Sequence, residues 1–209
     1  MKARNWAGTR VPIDFDFFYA QAKYYFITLP KEKFKPEMAM RCSSRFVRKT
    51  MPGKELNVVE IGVHMARNSY NMLRLLPIKH LYCIDPYAKY DQDGSAANDD
   101  TDINHIEQTA HKRLSKWDGT VTWIRDLSGK AADKVPDGLD FVYIDGNHTY
   151  ENVLEDIELY YPHVRSGGVI GGHDYDGSNL GVSRAAIEFT DKHKIKLYGG
   201  KIDFWFVKP

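Results

Sequence analysis

Acidic and imidazole side chains follow apolar segments at several points in this chain. The most distinctive case is "YIDGNHTY", residues 143–150, where an apolar approach ends at Asp145 and His148 follows three residues later. An imidazole can take a proton from a hydroxyl group at neutral pH. A strand built only for packing would end in ordinary turn residues, so the stretch indicates a site. The structural alternative is that His148 caps the next helix.

Apolar segments rich in β-branched and aromatic residues must position these side chains. Five are predicted strands, at 57–63, 80–86, 120–126, 139–145 and 168–174. Segments with helical spacing lie between them, and "IKLYG" and "DFWFVK" add two strands near the end of the sequence. This alternation predicts a mostly parallel sheet with helices on both faces.

Each of the five strands contains polar residues at or near its carboxyl end. In open α/β sheets, ligands bind beyond these ends. One aspartate there could be a helix cap, but polar groups on all five strands predict a binding edge. These residues are Glu60, Gly62, Asp85, Asp126, Asp145, His173 and Asp174.

The turn after the first of these strands, "EIGVHMARNS", indicates which ligand binds. It lacks the GxGxxG spacing of a dinucleotide fold, and the sequence has no P-loop. Glu60 would repel a phosphate but suits an ammonium or sulfonium group, and Asp85 can accept both hydroxyls of a ribose. These features favour S-adenosylmethionine. A nicotinamide cofactor stays an alternative, because dinucleotide folds also hold ribose at this position.

Three stretches carry a family resemblance: "VVEIGVHMARNS", "CIDPY" and "DFVYIDGNHTYENVLEDIELYYPHVRSGGVIGGHDY". They resemble the class I S-adenosylmethionine-dependent methyltransferases, in the branch of the macrocin-type sugar O-methyltransferases, which is related to the catechol O-methyltransferases. The resemblance covers residues 55–209. It implies a Rossmann-like, doubly wound, seven-stranded sheet, mostly parallel with the last strand antiparallel. The methyltransferase domain would span 51–209, after an N-terminal helical extension at 1–50.

The resemblance also implies roles for individual residues in binding the cofactor. Ala66 departs from the family, which usually has glycine there. The implied positions are the first cofactor loop for Glu60 and Gly62, the methionine moiety for His64, Ser69 and Asp145, the ribose for Asp85, and the adenine for Asp126 and Leu127.

The resemblance places a base and a metal near the transferred methyl group. His148 lies where the catechol family has a lysine base. Related enzymes bind magnesium at positions that correspond here to Asp145, His173 and Asp174. Magnesium prefers oxygen ligands, so His173 would better suit manganese, iron or zinc. The alternative is that no metal binds and His173 contacts the substrate.

The expected function is methyl transfer to a hydroxyl of a small molecule, a sugar or polyol. Two alternatives stay open, an S-adenosylmethionine-binding protein without catalysis and a nicotinamide-dependent oxidoreductase. A nucleic-acid methyltransferase is disfavoured, because an Asp/Asn-Pro-Pro-Tyr/Phe motif is missing after the fourth strand and the formal net charge is only +1.

Composition bounds the remaining expectations. The sequence has 209 residues, 43% hydrophobic and 27% charged, as in ordinary globular domains. Neither a signal peptide nor an 18-residue apolar run is present, which predicts a cytoplasmic protein without membrane partners. The net charge of +1 predicts no nucleic-acid partner. Two N-terminal helices, at 16–26 and 36–51, would cover a sheet edge or form a substrate or homodimer surface. The polar stretch 86–102 is expected to be a mobile lid.

Overall fold

The computed structural model describes residues 3–4, 10–11, 40–88, 102–176 and 179–209. Its main feature is a seven-stranded sheet in the order β5-β4-β3-β6-β7-β9-β8. Strand β9 is antiparallel to both neighbours, and the other strands are parallel to one another. This confirms the predicted fold class. The strands are β3 (Leu56–Ile61), β4 (Ile78–Ile84), β5 (Val121–Ile124), β6 (Leu139–Ile144), β7 (Val164–Gly172), β8 (Leu197–Gly200) and β9 (Asp203–Val207), preceded by a short antiparallel pair, β1 (Ala3–Arg4) and β2 (Arg10–Val11).

Helices cover both faces of the main sheet. The first three pack on one face around Val47, Met72 and Leu114, and the other three pack on the opposite face around Ala131, Ile157 and Phe189. They are α1 (Cys42–Thr50), α2 (Arg67–Leu75), α3 (Ile103–Leu114), α4 (Ser128–Ala131), α5 (Tyr150–Tyr160) and α6 (Leu180–Lys192), with 3₁₀ turns at Ser115–Trp117 and Ala132–Lys134.

Strand β6 shows why the apolar segments become central strands. All six of its residues are buried. Phe141 and Tyr143 pack on the α1–α3 side, and Val142 and Ile144 pack on the α4–α6 side. A parallel strand covered on both faces needs an almost continuous apolar run. The strand order reverses between β3 and β6, which places their carboxyl ends side by side at the point where such folds bind ligands.

Asp140 joins three strands at the opposite edge of the sheet. Its carboxylate accepts the backbone N–H of Asn57 at 2.9 Å, and it contacts Lys54 Nζ at 2.6 Å and Arg165 Nε at 2.7 Å. Burial alone would raise the pKa of Asp140, but the bonds from Lys54, Asn57 and Arg165 outweigh it and lower the pKa. This buried carboxylate is therefore a structural element, far along β6 from Asp145.

Only part of the N-terminal segment that the sequence predicts to be helical lies among the described residues. The predicted helix at 36–51 is described from residue 40, where it forms α1. Phe46 of α1 packs against Trp205 of β9, with ring centroids 5.8 Å apart. The predicted helix at 16–26 and nearly all of the predicted lid at 86–102 lie outside the described residues, and the domain boundary at residue 50 stays a prediction. Among the described helices, none has the length and apolar character needed to cross a bilayer.

Candidate active site

The loop after β3 packs directly against the loop after β6. Gly62 has φ +81°, and a Cβ atom built on it would lie 2.1 Å from the backbone oxygen of Asp145. The backbone N–H of Asp145 donates to the carbonyl of Ile61 at 2.8 Å. Both the backbone conformation and the contact require glycine. Gly62 therefore fixes the position of Asp145 relative to the first loop.

Asp85 ties the loops after β3 and β4 together. Its two carboxylate oxygens accept the backbone N–H groups of His64 at 2.7 Å and Tyr87 at 2.8 Å. The Tyr87 hydroxyl donates back to the carbonyl of His64 at 3.1 Å. A carboxylate oxygen can accept more than one hydrogen bond, so Asp85 keeps acceptor capacity for a ligand. His64, Ala66 and Tyr87 all have positive φ, a costly conformation that concentrates at functional sites.

Glu60 and Ser69 lie behind this loop. Glu60 is 1% exposed and accepts hydrogen bonds from Asn68 Nδ2 at 3.0 Å and from Ser69 Oγ. Burial raises the pKa of Glu60 to about 7, although both donors oppose this. The two side chains hold the start of α2 under the loop. The contacts of Glu60 and Ser69 with the cofactor, which the sequence indicates, stay a prediction.

A cavity of about 250 Å³ opens at the carboxyl ends of β3, β4 and β6. Asp126 lies beside it and is partly exposed. Its carboxylate accepts Lys134 Nζ at 2.7 Å and the Leu127 N–H at 2.9 Å, and these two bonds lower its pKa. The cavity wall includes Gly62, Asp85, Pro86, Leu127, Gly146 and Asn147. Three residues expected around the cofactor therefore share one wall: Gly62, Asp85 and Leu127.

Asp145, His148 and Asp174 come together next to this cavity. His148 Nε2 lies 3.6 Å from Asp145 Oδ1 and 3.3 Å from Asp174 Oδ2. One potential ligand atom from each residue lies within 4.8 Å of the others. All three side chains are partly exposed. The arrangement can orient an imidazole for proton transfer or hold a cation.

His173 has a protein contact at each of its two ring nitrogens. Its Nε2 contacts the guanidinium of Arg41, and its Nδ1 lies 2.9 Å from Asp174 Oδ1 and 3.5 Å from Asp145 Oδ1. A guanidinium only donates hydrogen bonds, so Nε2 accepts and the ring hydrogen on Nδ1 faces the carboxylates. Both ring nitrogens of His173 therefore have protein partners. The geometry favours His148 as the histidine that would offer a nitrogen to a metal.

Arg41 contacts the acidic cluster through His173, and the sequence did not indicate this contact. A buried network anchors the segment that carries it. Asp203 Oδ2 accepts the N–H and hydroxyl of Ser43 at 3.2 and 3.0 Å, and the Tyr143 hydroxyl donates to Asp203 Oδ1 at 3.3 Å. Burial raises the pKa of Asp203 to about 6, while the charge of Arg41 opposes this. The start of α1 is thus fixed behind the acidic cluster.

Comparisons with known proteins agree with this architecture. The profile of a methyltransferase domain family matches residues 59–175. Uncharacterized protein R132 of Acanthamoeba polyphaga mimivirus is 31% identical over 127 residues, which are 60% of this chain and 54% of the viral protein. The chain therefore spans about half the length of this curated relative.

Solved structures show the same fold at low sequence identity. The O-methyltransferase NovP superimposes with a TM-score of 0.61 at 15% identity, covering 90% of this chain and 93% of NovP. SMU.1697c of Streptococcus mutans, in complex with S-adenosylhomocysteine, gives 0.59 at 13% identity over 80% of this chain and 96% of its own. An rRNA methylase of Streptococcus thermophilus gives 0.57 at 15% identity, over 84% of this chain and 98% of its own.

Proposed function

We propose that this chain, which belongs to the methyltransferase domain family, transfers a methyl group from S-adenosylmethionine to a hydroxyl group of a small molecule. The observation that carries the proposal is the position of His148 between Asp145 and Asp174 at the rim of the cavity. Gly146 and Asn147, which separate Asp145 from His148 in the sequence, line the cavity itself. An imidazole next to a cavity of about 250 Å³ supports hydroxyl methylation, in which a base removes the hydroxyl proton.

In this proposal His148 is the general base. Its ring accepts the proton of the acceptor hydroxyl, and the two carboxylates orient the ring and stabilise it once it is protonated. S-adenosylmethionine supplies an electrophilic methyl group, so the remaining task of the protein is to hold the acceptor oxygen in line with it. Gly62, Asp85 and Leu127 contribute to the wall that would bind the nucleoside part.

The motif resemblance to sugar O-methyltransferases is the support for a sugar or polyol as the acceptor. The fold likeness to the O-methyltransferase NovP supports transfer to oxygen and says nothing of the acceptor class. An rRNA methylase also shares the fold, so the expected absence of nucleic-acid substrates stays a prediction. A panel of radiolabelled transfer assays with sugars, catechols and RNA would separate these acceptors.

Cofactor binding is testable through Asp85. A ligand that binds only the native state at about 100 times its Kd adds about 2.7 kcal/mol of stability, a rise of roughly 5–10 °C in Tm for a chain of this size. We expect this rise with S-adenosylhomocysteine, and Asp85→Ala should largely remove it. Thermal shift and calorimetric titration measure the effect.

The control for Asp85→Ala is Asp118→Ala, which removes an exposed aspartate from the turn before β5. Its ligand-induced shift should match wild type. A larger shift with NAD than with S-adenosylhomocysteine would favour the oxidoreductase alternative and contradict the proposal.

A divalent metal at the acidic cluster is an alternative proposal for the same site, in which His148 would be a metal ligand and not the general base. Asp145 and Asp174 would provide carboxylate oxygens, which suit magnesium or manganese. The sequence named His173 as the third ligand, whereas the ring contacts described above favour His148. Donors bound to one such ion lie about 3 Å apart, given metal–ligand distances of about 2.1 Å, and the separations of 3.3 and 3.6 Å around His148 are close to this. The metal would lower the pKa of the acceptor hydroxyl.

The metal proposal predicts that Asp174→Ala loses metal-dependent activity while S-adenosylhomocysteine still binds. Titration calorimetry with Mn²⁺ should show a larger loss of affinity for His148→Ala than for His173→Ala. Loss of a residue that only supports a metal ligand lowers metal affinity by roughly 10–100-fold, and loss of a ligand itself should lower it by more. Full activity after exhaustive chelation would contradict the metal and leave His148 as a free base.

A further inference from the structure

A buried carboxyl group lies on the rear wall of the cavity, on α5. Asp156 is 3% exposed, and it lines the cavity together with Asn152. A Cβ atom built on Gly146 would lie 3.9 Å from Asp156 Oδ2, so this carboxyl reaches the loop that follows β6. The methyl-transfer chemistry proposed above does not use Asp156.

Asp156 lies on the same cavity wall as Ser128, the first residue of α4. Burial raises the pKa of Asp156 to about 7, and Glu155 adds to this, while hydrogen bonding by the Ser128 side chain opposes it. An apolar side chain would avoid the cost of burying this group. The carboxyl group therefore has a role other than filling space.

Tyr160 holds the same residue from one helical turn further along. Its ring is fully buried, and its hydroxyl donates to the backbone carbonyl of Ser128 at 2.9 Å. Residues four apart lie on the same helix face, so Asp156 and Tyr160 both face Ser128 from α5. Tyr160 bonds to the backbone of Ser128, and Asp156 lies near its side chain. Ser128 and Leu127 form part of the cavity wall.

We propose that Asp156 and Tyr160 are positioning residues that set the affinity for the nucleoside part of the cofactor by holding the Leu127–Ser128 wall in place. They act through Ser128 and touch no reacting atom. If the wall is already ordered before the ligand binds, no conformational entropy is lost in ordering it, and this increases affinity. The inference rests on the proposed function, because it takes S-adenosylmethionine as the occupant of the cavity.

The test is calorimetric titration of S-adenosylhomocysteine, performed well below the Tm of each variant. Loss of a buried hydrogen bond predicts that Asp156→Ala raises Kd about 5- to 20-fold. The KM for S-adenosylmethionine should rise in parallel, with kcat nearly unchanged. Tyr160→Phe removes only the hydroxyl and should raise Kd by a smaller factor. Asp156→Asn should remain close to wild type, because an amide also accepts the bond from Ser128.

A double-mutant cycle with Ser128→Ala decides whether Asp156 acts through Ser128. If it does, adding Asp156→Ala to Ser128→Ala changes Kd little further; a full additional effect would overturn the positioning role. Asp140→Asn is the control, since it disturbs an equally buried carboxylate at the far edge of the sheet and should lower Tm without changing Kd.

The result also separates the two proposals. Wild-type protein that fails to bind S-adenosylhomocysteine contradicts the proposed function. Wild-type binding together with unchanged Kd in both Asp156→Ala and Tyr160→Phe contradicts only this inference.

Discussion

Replacing His148 with alanine is expected to lower kcat by about 10²–10⁴-fold, the usual contribution of a general base. Affinity for S-adenosylhomocysteine should stay near wild type, because the side chains expected to bind the cofactor are not altered. The effect depends on the position of the ring, 3.3 Å from Asp174 Oδ2 and 3.6 Å from Asp145 Oδ1. Steady-state kinetics with an accepted hydroxyl substrate and calorimetric titration would measure both quantities.

His163 provides a matched control for His148. Its side chain is 20% exposed, against 23% for His148, and its Nδ1 lies 2.8 Å from Asp137 Oδ1, away from the carboxyl edge of the sheet. His163→Ala should therefore leave kcat unchanged. His148→Lys should recover part of the lost rate by restoring the base of the catechol relatives. If His148→Ala kept its rate and lost only stability, His148 would have a structural role only, next to Thr149, which caps α5.

The sheet was predictable because its strands are covered on both faces. β6 combines full burial with an apolar run that the sequence displays directly. Strand ends were less predictable: β7 begins at Val164, four residues before the predicted start, because Arg165, Ser166 and Gly167 interrupt the apolar pattern. Gly167 has φ +75°, and the register between β6 and β7 shifts at this point.

The acidic cluster was predictable only in its local parts. Asp145 and His148 are three residues apart, so one turn keeps them close. The contact between Arg41 and His173 joins residues 132 positions apart, and no local pattern near Arg41 marks it. The sequence also did not reveal the internal partners of Glu60. Its oxygens accept hydrogen bonds from Asn68 and Ser69, and its expected place at the cofactor stays a prediction.

Gly62→Ala should combine a large loss of stability with a large loss of activity. The left-handed conformation costs a non-glycine residue about 1–2 kcal/mol. The new Cβ atom would also lie 2.1 Å from the Asp145 backbone oxygen, and overpacking of this kind adds about 1–3 kcal/mol. The free energy of unfolding should thus fall by about 2–5 kcal/mol. Relief of the contact must move the loop that carries Asp145 and His148, and a shift of about 1 Å at a catalytic group can cost about 100-fold in rate.

Gly138→Ala isolates the contact from the backbone conformation. Gly138 has φ +82°, almost the same as the +81° of Gly62, but a Cβ atom built there has no heavy atom within 4 Å apart from its chain neighbours. It should therefore show the conformational cost alone, with kcat and cofactor Kd unchanged. Urea unfolding of the two variants gives the difference in stability, and kinetics gives the difference in rate. Equal losses of stability with normal kcat in both variants would show that the loop after β3 does not position Asp145, and the proposed coupling between cofactor loop and base would be wrong.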